Sequence, residues 1–283
     1  MRAPRKIMIA ATTFLAAVSV AAPPASANAR AETTTPYEYR GYHGLNHTKM
    51  ISIFPATSAD LRPVTFSIGL QKSTERYAMF WDNKPGPDWT MEVELRGSAA
   101  YQKRFDQVTA NGYQPTVVTA TGSGPNTVFT AIYEKKTGKF IARHGIGIPE
   151  FLLANTDANR NGYIPVSVNL YGTASSPRVA AVWAANPSGV SWHFTLSDSA
   201  SEYQRIFNIN VKRGYRPSAI TVTPDGKGYL TIWRKDTIGA WYAFHGMSAA
   251  QYQARFDEMT AKGLYPTWID MENGVYAAIF TRR

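Results

Sequence analysis

Apolar positions recur along the chain in blocks of about 50 residues, and each block combines two periodicities. The first segment of a block has apolar residues three and four positions apart, which is typical of a helix with one buried face. Three short apolar runs follow, separated by turn residues, which is typical of strands. Residues 214–263 contain one full block. The pattern predicts an α+β repeat of five units, each with one helix and three antiparallel strands.

The junction between helix and strand carries a glycine–aromatic–x–proline bend. It is found at residues 112–115, 162–165 and 214–217, with a weaker copy at 263–266 and an eroded copy without glycine at 60–63. Glycine accepts the left-handed conformation that ends a helix, and proline cannot continue the helix and favours an extended residue before it. Each bend therefore predicts a switch from helix to strand. Serines near the helix starts are the expected N-caps, namely Ser98, Ser201 and Ser248.

The third apolar run of a unit sometimes ends in His-Gly, as in KFIARHG and AWYAFHG. The last unit stops at Arg283 after its second run, and residues 37–44 offer a spare run with the same His-Gly ending. We expect this N-terminal strand to complete the last unit and to close the array into a propeller-like ring. Closure would remove an unpaired edge strand, which is otherwise a site of aggregation.

The N-terminal residues predict a secreted protein. A basic start is followed by a short apolar stretch and by small residues, which is the pattern of a signal peptide over residues 1–29, with cleavage after Ala29 or Ala27. Residues 30–36 look like a polar linker, and residues 37–283 are expected to form a single repeat domain. No other apolar stretch reaches the roughly 20 residues that a membrane-spanning helix needs.

Composition narrows the possible partners and chemistry. The chain has 283 residues, 44% hydrophobic, a formal net charge of +10 and no cysteine. A globular core without disulfides is therefore expected, and thiol chemistry and cysteine-based metal sites are excluded. Basic residues form no run of the nucleic-acid-binding type, so the positive charge favours either solubility or acidic polymers. We expect a monomer without a cofactor, whose partner is an extracellular protein or polysaccharide.

The repeat resembles the structural repeat of the polyglycine hydrolases, also described as a bacterial tandem repeat domain. The residues that carry the resemblance read SEYQRIFNINVKRGYRP, LTIW and AWYAFHGMSAAQYQARF. In that family the repeats precede a β-lactamase-like serine hydrolase domain that cleaves glycine-rich linkers. Such a domain needs a Ser-x-x-Lys pair, and no serine of this chain has a lysine three residues later. The family's catalytic residues therefore have no counterpart here.

Three functions remain open at this point. The first is a secreted, non-catalytic binding or interaction module. The second is an accessory or relative of an extracellular serine hydrolase or peptidase that acts on glycine-rich peptide linkers. The third is a cell-wall or glycan binder. The sequence contains no complete catalytic motif. This favours a protein that is not an enzyme but does not decide the question.

Candidate binding residues come from the histidines and the less regular tryptophans. His144 and His245 precede glycine at equivalent repeat positions, so a ring could bring such histidines together, although a local turn role is the simpler interpretation. Trp81 and Trp89 flank the charged, Pro/Gly-rich loop DNKPGPD and are the better candidates for an exposed binding surface. The aromatic residues that recur at equivalent strand positions of the repeat are instead expected in the core, namely Tyr133, Trp183, Trp233 and Trp241.

Two further sequence patterns give weaker evidence for a functional site. Residues 157–162 resemble the start of a calcium loop, but the twelfth position of that loop, where a bidentate Glu is required, is Val168. Residues 122–124, Gly-Ser-Gly, lack the fuller frame of a nucleophile turn and favour a flexible hairpin turn.

Overall fold

The computed structural model of the protein describes residues 36–282. The predicted signal peptide, residues 1–29, and residues 30–35 of the predicted linker lie outside the described residues. Among the residues described, no helix is both long and apolar enough to cross a membrane.

The described chain forms five units, each with a strand, a helix and two further strands. Unit 1 contains β1 (Tyr39–Leu45), α1 (His47–Ser58), β2 (Arg62–Gln71) and β3 (Thr74–Asp82). Unit 2 contains β4 (Trp89–Arg96), α2 (Ser98–Ala110), β5 (Tyr113–Thr121) and β6 (Val128–Lys135). Unit 3 contains β7 (Phe140–Ile146), α3 (Ile148–Arg160), β8 (Tyr163–Thr173) and β9 (Ser176–Ala185). Unit 4 contains β10 (Trp192–Ser197), α4 (Ala200–Lys212), β11 (Arg216–Val222) and β12 (Tyr229–Arg234). Unit 5 contains β13 (Trp241–Met247), α5 (Ala249–Ala261), β14 (Leu264–Glu272) and β15 (Val275–Arg282).

Every unit forms its own three-stranded antiparallel sheet with the last strand in the middle. The strand orders are β1-β3-β2, β4-β6-β5, β7-β9-β8, β10-β12-β11 and β13-β15-β14. The predicted five units of one helix and three antiparallel strands are therefore confirmed. None of these sheets closes into a barrel or propeller.

The predicted role of the N-terminal strand is wrong. Strand β1 pairs with β3 of its own unit, with Gly41 opposite Phe80, and unit 5 already has its third strand in β13. The strand that ends in His-Gly belongs to the sheet of the helix that follows it, not of the helix that precedes it. The error has a simple cause, because a repeat period fixes the spacing of elements but not the point at which a unit begins.

The bends form as predicted in the units that carry the glycine. Gly112, Gly162, Gly214 and Gly263 all have φ between 71° and 81°, directly after their helices. The N-cap prediction holds only for Ser248, which forms a full capping box with Gln251. Helix α2 begins after Gly97, and α4 is capped by Ser199, so the predicted Ser98 and Ser201 lie inside the first turn.

The second strands of the five units, which we call the inner strands (β2, β5, β8, β11 and β14), contact one another in series. Strand β14 also contacts β2, so the series of contacts returns from unit 5 to unit 1. Neighbouring inner strands are linked by a recurring hydrogen bond, in which a backbone N–H of one strand donates to a side chain of the next. The bonds of this kind are Ala120 to Asn169, Leu170 to Thr221, Val222 to Asp270 and Met271 to Ser67, at 2.7–3.0 Å.

Large aromatic side chains fill the space between the helices and the sheets. Tyr133, Trp183 and Trp233 are at most 1% exposed, which confirms their predicted place in the core. Trp241 is half-buried and packs edge-on against Phe207 of α4, with ring centroids 6.1 Å apart. Burial of aromatic surface of this size is a dominant stabilising contribution to such a fold.

Candidate functional site

Every inner strand begins with a β-bulge directly after the proline of the bend. The register shifts between Pro63 and Thr65, and the same shift recurs after the bend proline of each other unit. A bulge inserts one residue that has no partner opposite it and turns its side chain away from the regular alternation. The bulged residues are half-buried in all five units, and they are Val64, Thr116, Val166, Ser218 and Thr267.

These five bulged residues line one cavity, which we call the mouth cavity. Its volume is about 380 Å³, and each of the five units contributes one side chain to it. The apolar part of the lining also includes Val117, Trp268 and three prolines, namely Pro63, Pro85 and Pro87. Concave cavities of a few hundred Å³ are common sites for small ligands, and most of the accessible lining of this one is polar.

Three of the bulged residues carry a hydroxyl, and each makes the same local bond. Thr116, Ser218 and Thr267 donate to the carbonyl oxygens of Ile132, Ile232 and Ile279 at 3.3–3.4 Å. Hydroxyl bonds between oxygens are commonly near 2.7–2.8 Å, so these are long. A ligand oxygen in the mouth cavity can compete for these donors.

Charged side chains form the rim of the mouth cavity. Arg62, Lys84 and Lys136 line it together with a single carboxylate, Glu134. Glu134 pairs with the Arg62 guanidinium and with the Lys136 ammonium, the second at 2.6 Å. The mouth cavity is therefore lined by three cations and one carboxylate, whereas an adjoining cavity shares Arg62 and Lys84 and is also lined by Asp60, Asp82 and Asp88.

The loop between β3 and β4 covers one side of this opening. Its residues 84–87, Lys-Pro-Gly-Pro, line both the mouth cavity and the adjoining cavity, which has a volume of about 320 Å³. Trp81 is 0% exposed and packs edge-on against Trp89 at 5.6 Å, so the expectation that Trp81 lies on an exposed surface is wrong. Trp89 is half-buried and lines the adjoining cavity. Its role in binding stays a prediction.

Further along the inner strands lies a buried polar layer, four residues after each bend proline. Every unit places a polar residue there, and all five are at most 2% exposed. Burying polar groups is costly unless they are hydrogen-bonded, so the layer needs internal partners. Its members, which we call the central layer, are Ser67, Thr119, Asn169, Thr221 and Asp270.

Asp270 is the one acidic member of the central layer. Its Oδ1 accepts from Asn169 Nδ2 at 3.0 Å and from Ser67 Oγ at 3.3 Å, and its Oδ2 accepts from the Val222 N–H at 2.7 Å. Complete burial raises the pKa of Asp270 to about 7, against the lowering effect of these donors.

Glu272 lies two residues later on the same strand. It accepts from Thr121 Oγ1 at 2.8 Å and from the Leu70 N–H at 3.1 Å. Burial, with a smaller contribution from the nearby Asp270, raises the pKa of Glu272 to about 7. Together, the two carboxyl groups of unit 5 thus contact all four of the other units.

The histidines do not gather at one point. His43 contacts Tyr252 and Gln253, whereas His144 contacts Tyr101 and Ser98. His245 contacts Tyr203 and Gln204, and burial lowers its pKa to about 4. Each of these three histidines packs against the helix of the preceding unit, and for His43 of unit 1 that helix is α5 of unit 5. In residues 36–282 no group of three or more His, Asp or Glu side chains is placed to hold a metal ion.

The two weaker patterns have structural roles. Asp157 lies in the last turn of α3, where its carbonyl oxygen accepts the side-chain amide of Asn161 at 2.8 Å and Gly162 provides the helix-ending bend. Residues 122–124 lie between β5 and β6, as the hairpin interpretation predicts.

Sequence reasoning missed Asp270, Glu272 and the hydroxyls of the mouth cavity. A signal for them was present. When the units are aligned on the bend proline, the fourth residue after it is polar in every unit, inside an otherwise apolar run. The period of the repeat thus locates the central layer, but it does not show that the five positions meet.

Four stretches of the chain match one family, described as polyglycine hydrolase-like, structural repeat. The matches cover residues 86–136, 137–186, 189–236 and 238–283. Each matched stretch begins before the first strand of a unit and ends after its last, so it coincides with units 2 to 5. The chain therefore belongs to this family, and the predicted resemblance is confirmed. Unit 1 adds a fifth copy of the same architecture.

Proposed function

We propose that the protein is a secreted, non-catalytic binding module whose ligand enters the mouth cavity. The observation that carries this proposal is the convergence of one bulged side chain from each of the five units on a single cavity of about 380 Å³. Five separate units contribute to this cavity, and the closed series of inner-strand contacts holds them around it. The repeats thereby act as a scaffold, and the ligand contacts come from side chains that differ between units.

The chemistry of the cavity supports binding rather than catalysis. Its hydroxyls bond to backbone carbonyl oxygens, and neither a histidine nor a Ser-x-x-Lys pair accompanies them in the lining. The carboxyl groups with raised pKa values are Asp270 and Glu272, which are 1% and 6% exposed and are held by donors within the protein. A general acid or base needs contact with its substrate, which this enclosure prevents.

Binding through the mouth cavity is tested by capture from cell-wall and secreted fractions. A Ser218→Trp variant fills the cavity with an indole, and Ser175→Trp places the same side chain on an exposed hairpin turn between β8 and β9. We expect the wild type and Ser175→Trp to capture the same partner and Ser218→Trp to lose it. Equal capture by all three proteins, or by none, would remove the support for this function.

The same capture separates the alternatives. A glycine-rich peptide, or an enzyme that cleaves one, would favour the hydrolase-accessory function. A polysaccharide as the captured partner would favour the glycan-binding function. Melting temperatures of the two variants, measured beside the wild type, show whether either substitution disturbs the fold.

Secretion is tested separately on the N-terminus of the protein recovered from culture medium. The basic start, the apolar stretch and the small residues after it support removal of a signal peptide. We expect mass spectrometry to find a mature chain that begins at Arg30, or at Asn28 if cleavage follows Ala27. Recovery of the protein only inside the cell, with Met1 retained, would contradict secretion.

A further inference from the structure

The rim of the mouth cavity has more positive charge than its own carboxylate can balance. Three cations, Arg62, Lys84 and Lys136, line the cavity, against Glu134 alone. Within residues 36–282, no carboxylate lies within ion-pair distance of the Lys84 ammonium. Cations gathered at a concave opening attract and concentrate anions.

Arg62 is held in a fixed position. Its side chain is 13% exposed and pairs with Glu134. The covering loop rests on it so closely that a methyl group added at Gly86 would lie 1.5 Å from Arg62 Nη1. A guanidinium that is already oriented loses little conformational freedom when a ligand binds beside it.

The interior of the mouth cavity supplies further donors and a short apolar wall. The hydroxyls of Thr116, Ser218 and Thr267 make only long bonds to carbonyl oxygens and can turn toward a ligand oxygen. Val64 and Val166 provide apolar contact beside them. The lining therefore fits a small anionic group that is attached to a short, partly apolar body.

We infer that the ligand of the mouth cavity presents a carboxylate, held by Lys84 and Lys136 at the rim and by the hydroxyls within. This inference rests on the proposed function, since it names the chemistry of the ligand that the cavity binds. The carboxylate belongs either to the end of a peptide or to an acidic sugar, and both sources share the same recognition.

The test compares acids with neutral molecules of the same shape by isothermal titration calorimetry on the full mature protein. N-acetyl-L-alanine and its amide represent a peptide end, and D-glucuronate and D-glucose represent a sugar. We expect at least one acid to bind about tenfold more tightly than its neutral partner, and this preference to weaken at high salt. The acid that binds identifies the source of the carboxylate.

Two lysine variants connect the binding to the rim. Lys84→Gln removes a charge that has no ion pair within the described residues, so it leaves the fold intact. Lys139→Gln removes the same charge from an exposed site outside the cavity lining. We expect Lys84→Gln to weaken acid binding about three- to fivefold and Lys139→Gln to leave it unchanged.

The outcomes separate this inference from the proposed function. If a neutral molecule binds as tightly as its acid, and Ser218→Trp abolishes both, the cavity binds ligands but the carboxylate inference is overturned. Acid binding that survives Ser218→Trp, or that Lys84→Gln and Lys139→Gln weaken equally, also overturns it. If neither acid binds, the inference fails, whereas the proposed function stands or falls with the capture experiment.

Discussion

The backbone N–H of Met271 donates a 3.0 Å hydrogen bond to Ser67 Oγ, which joins the last unit of the chain to the first. The same bond links unit 2 to unit 3, unit 3 to unit 4 and unit 4 to unit 5. The junction between units 5 and 1 therefore has the same bond as three of the four internal junctions. At the equivalent place between units 1 and 2, the hydroxyl of Thr119 is buried without a partner in the described part of the chain.

This difference predicts opposite outcomes for two identical substitutions. Thr221 Oγ1 accepts the Leu170 N–H at 2.9 Å, so Thr221→Val leaves a buried donor unsatisfied. We expect a loss of about 1–3 kcal/mol in the free energy of unfolding, measured with urea. Thr119→Val removes a buried hydroxyl that makes no bond, so it should leave stability unchanged or raise it. Equal losses in the two variants would show that the shared bond does not stabilise the junctions.

The two carboxyl groups of β14 predict that stability decreases as pH rises from the acidic range toward neutrality. Burial raises the pKa of Asp270 from 3.8 to about 7 and that of Glu272 from 4.5 to about 7. A carboxyl with a raised pKa in the fold stabilises it fully below the unfolded pKa and loses this contribution as pH rises through the folded value. Between pH 5 and 8 we expect each group to contribute a decrease on the order of 2 kcal/mol.

The double variant Asp270→Asn/Glu272→Gln isolates this effect, since neither amide titrates. Four half-buried histidines act in the opposite direction, because a pKa lowered in the fold makes stability rise with pH. These histidines are His43, His144, His193 and His245. The wild type should therefore lose more stability between pH 5 and 8 than the double variant does. Parallel pH profiles in urea unfolding would contradict the assignment.

At Gly69 the backbone of β2 lies directly against the backbone of β14. A methyl group added there would lie 1.8 Å from the carbonyl oxygen of Met271, which is backbone and cannot turn aside. We expect Gly69→Ala to lower the free energy of unfolding by at least about 2 kcal/mol because the two inner strands must separate. Gly138→Ala is the matched control, since its nearest neighbour would be 3.9 Å away, and its stability should stay within about 0.5 kcal/mol of the wild type.

The N-terminal strand should stabilise the junction between units 1 and 5 through its aromatic ring at Tyr39. That ring packs against Tyr265 at 4.9 Å and against Phe256 at 6.2 Å, both in unit 5. We expect Tyr39→Ala to lower the melting temperature by several degrees, as the loss of about 2 kcal/mol implies. Tyr39→Phe keeps the ring, and its melting temperature should equal that of the wild type. A melting temperature unchanged by Tyr39→Ala would show that the N-terminal strand does not hold the two units together.

Local chemistry made the bends and most of the core predictable. Gly214 follows α4 with φ 81°, and Pro217 is the second residue of the next strand, because both effects act within a few residues. Trp183 and Trp233 are in the core as their recurrence in the strands predicts. Trp81 is buried just as deeply, although its position beside an irregular loop suggested exposure.

The sequence by itself determined the number of units, their elements and the family, because helix ends, bends and apolar periodicity are local and repeat five times. Only the tertiary structure decided which strand completes which sheet, because pairing depends on contacts between distant residues and a period has no starting point. It alone brought Asp270 to Ser67 and Asn169, and it alone gathered five bulged side chains at one cavity. Asp270 and Ser67, 203 positions apart in the sequence, meet because the contacts between inner strands return from unit 5 to unit 1.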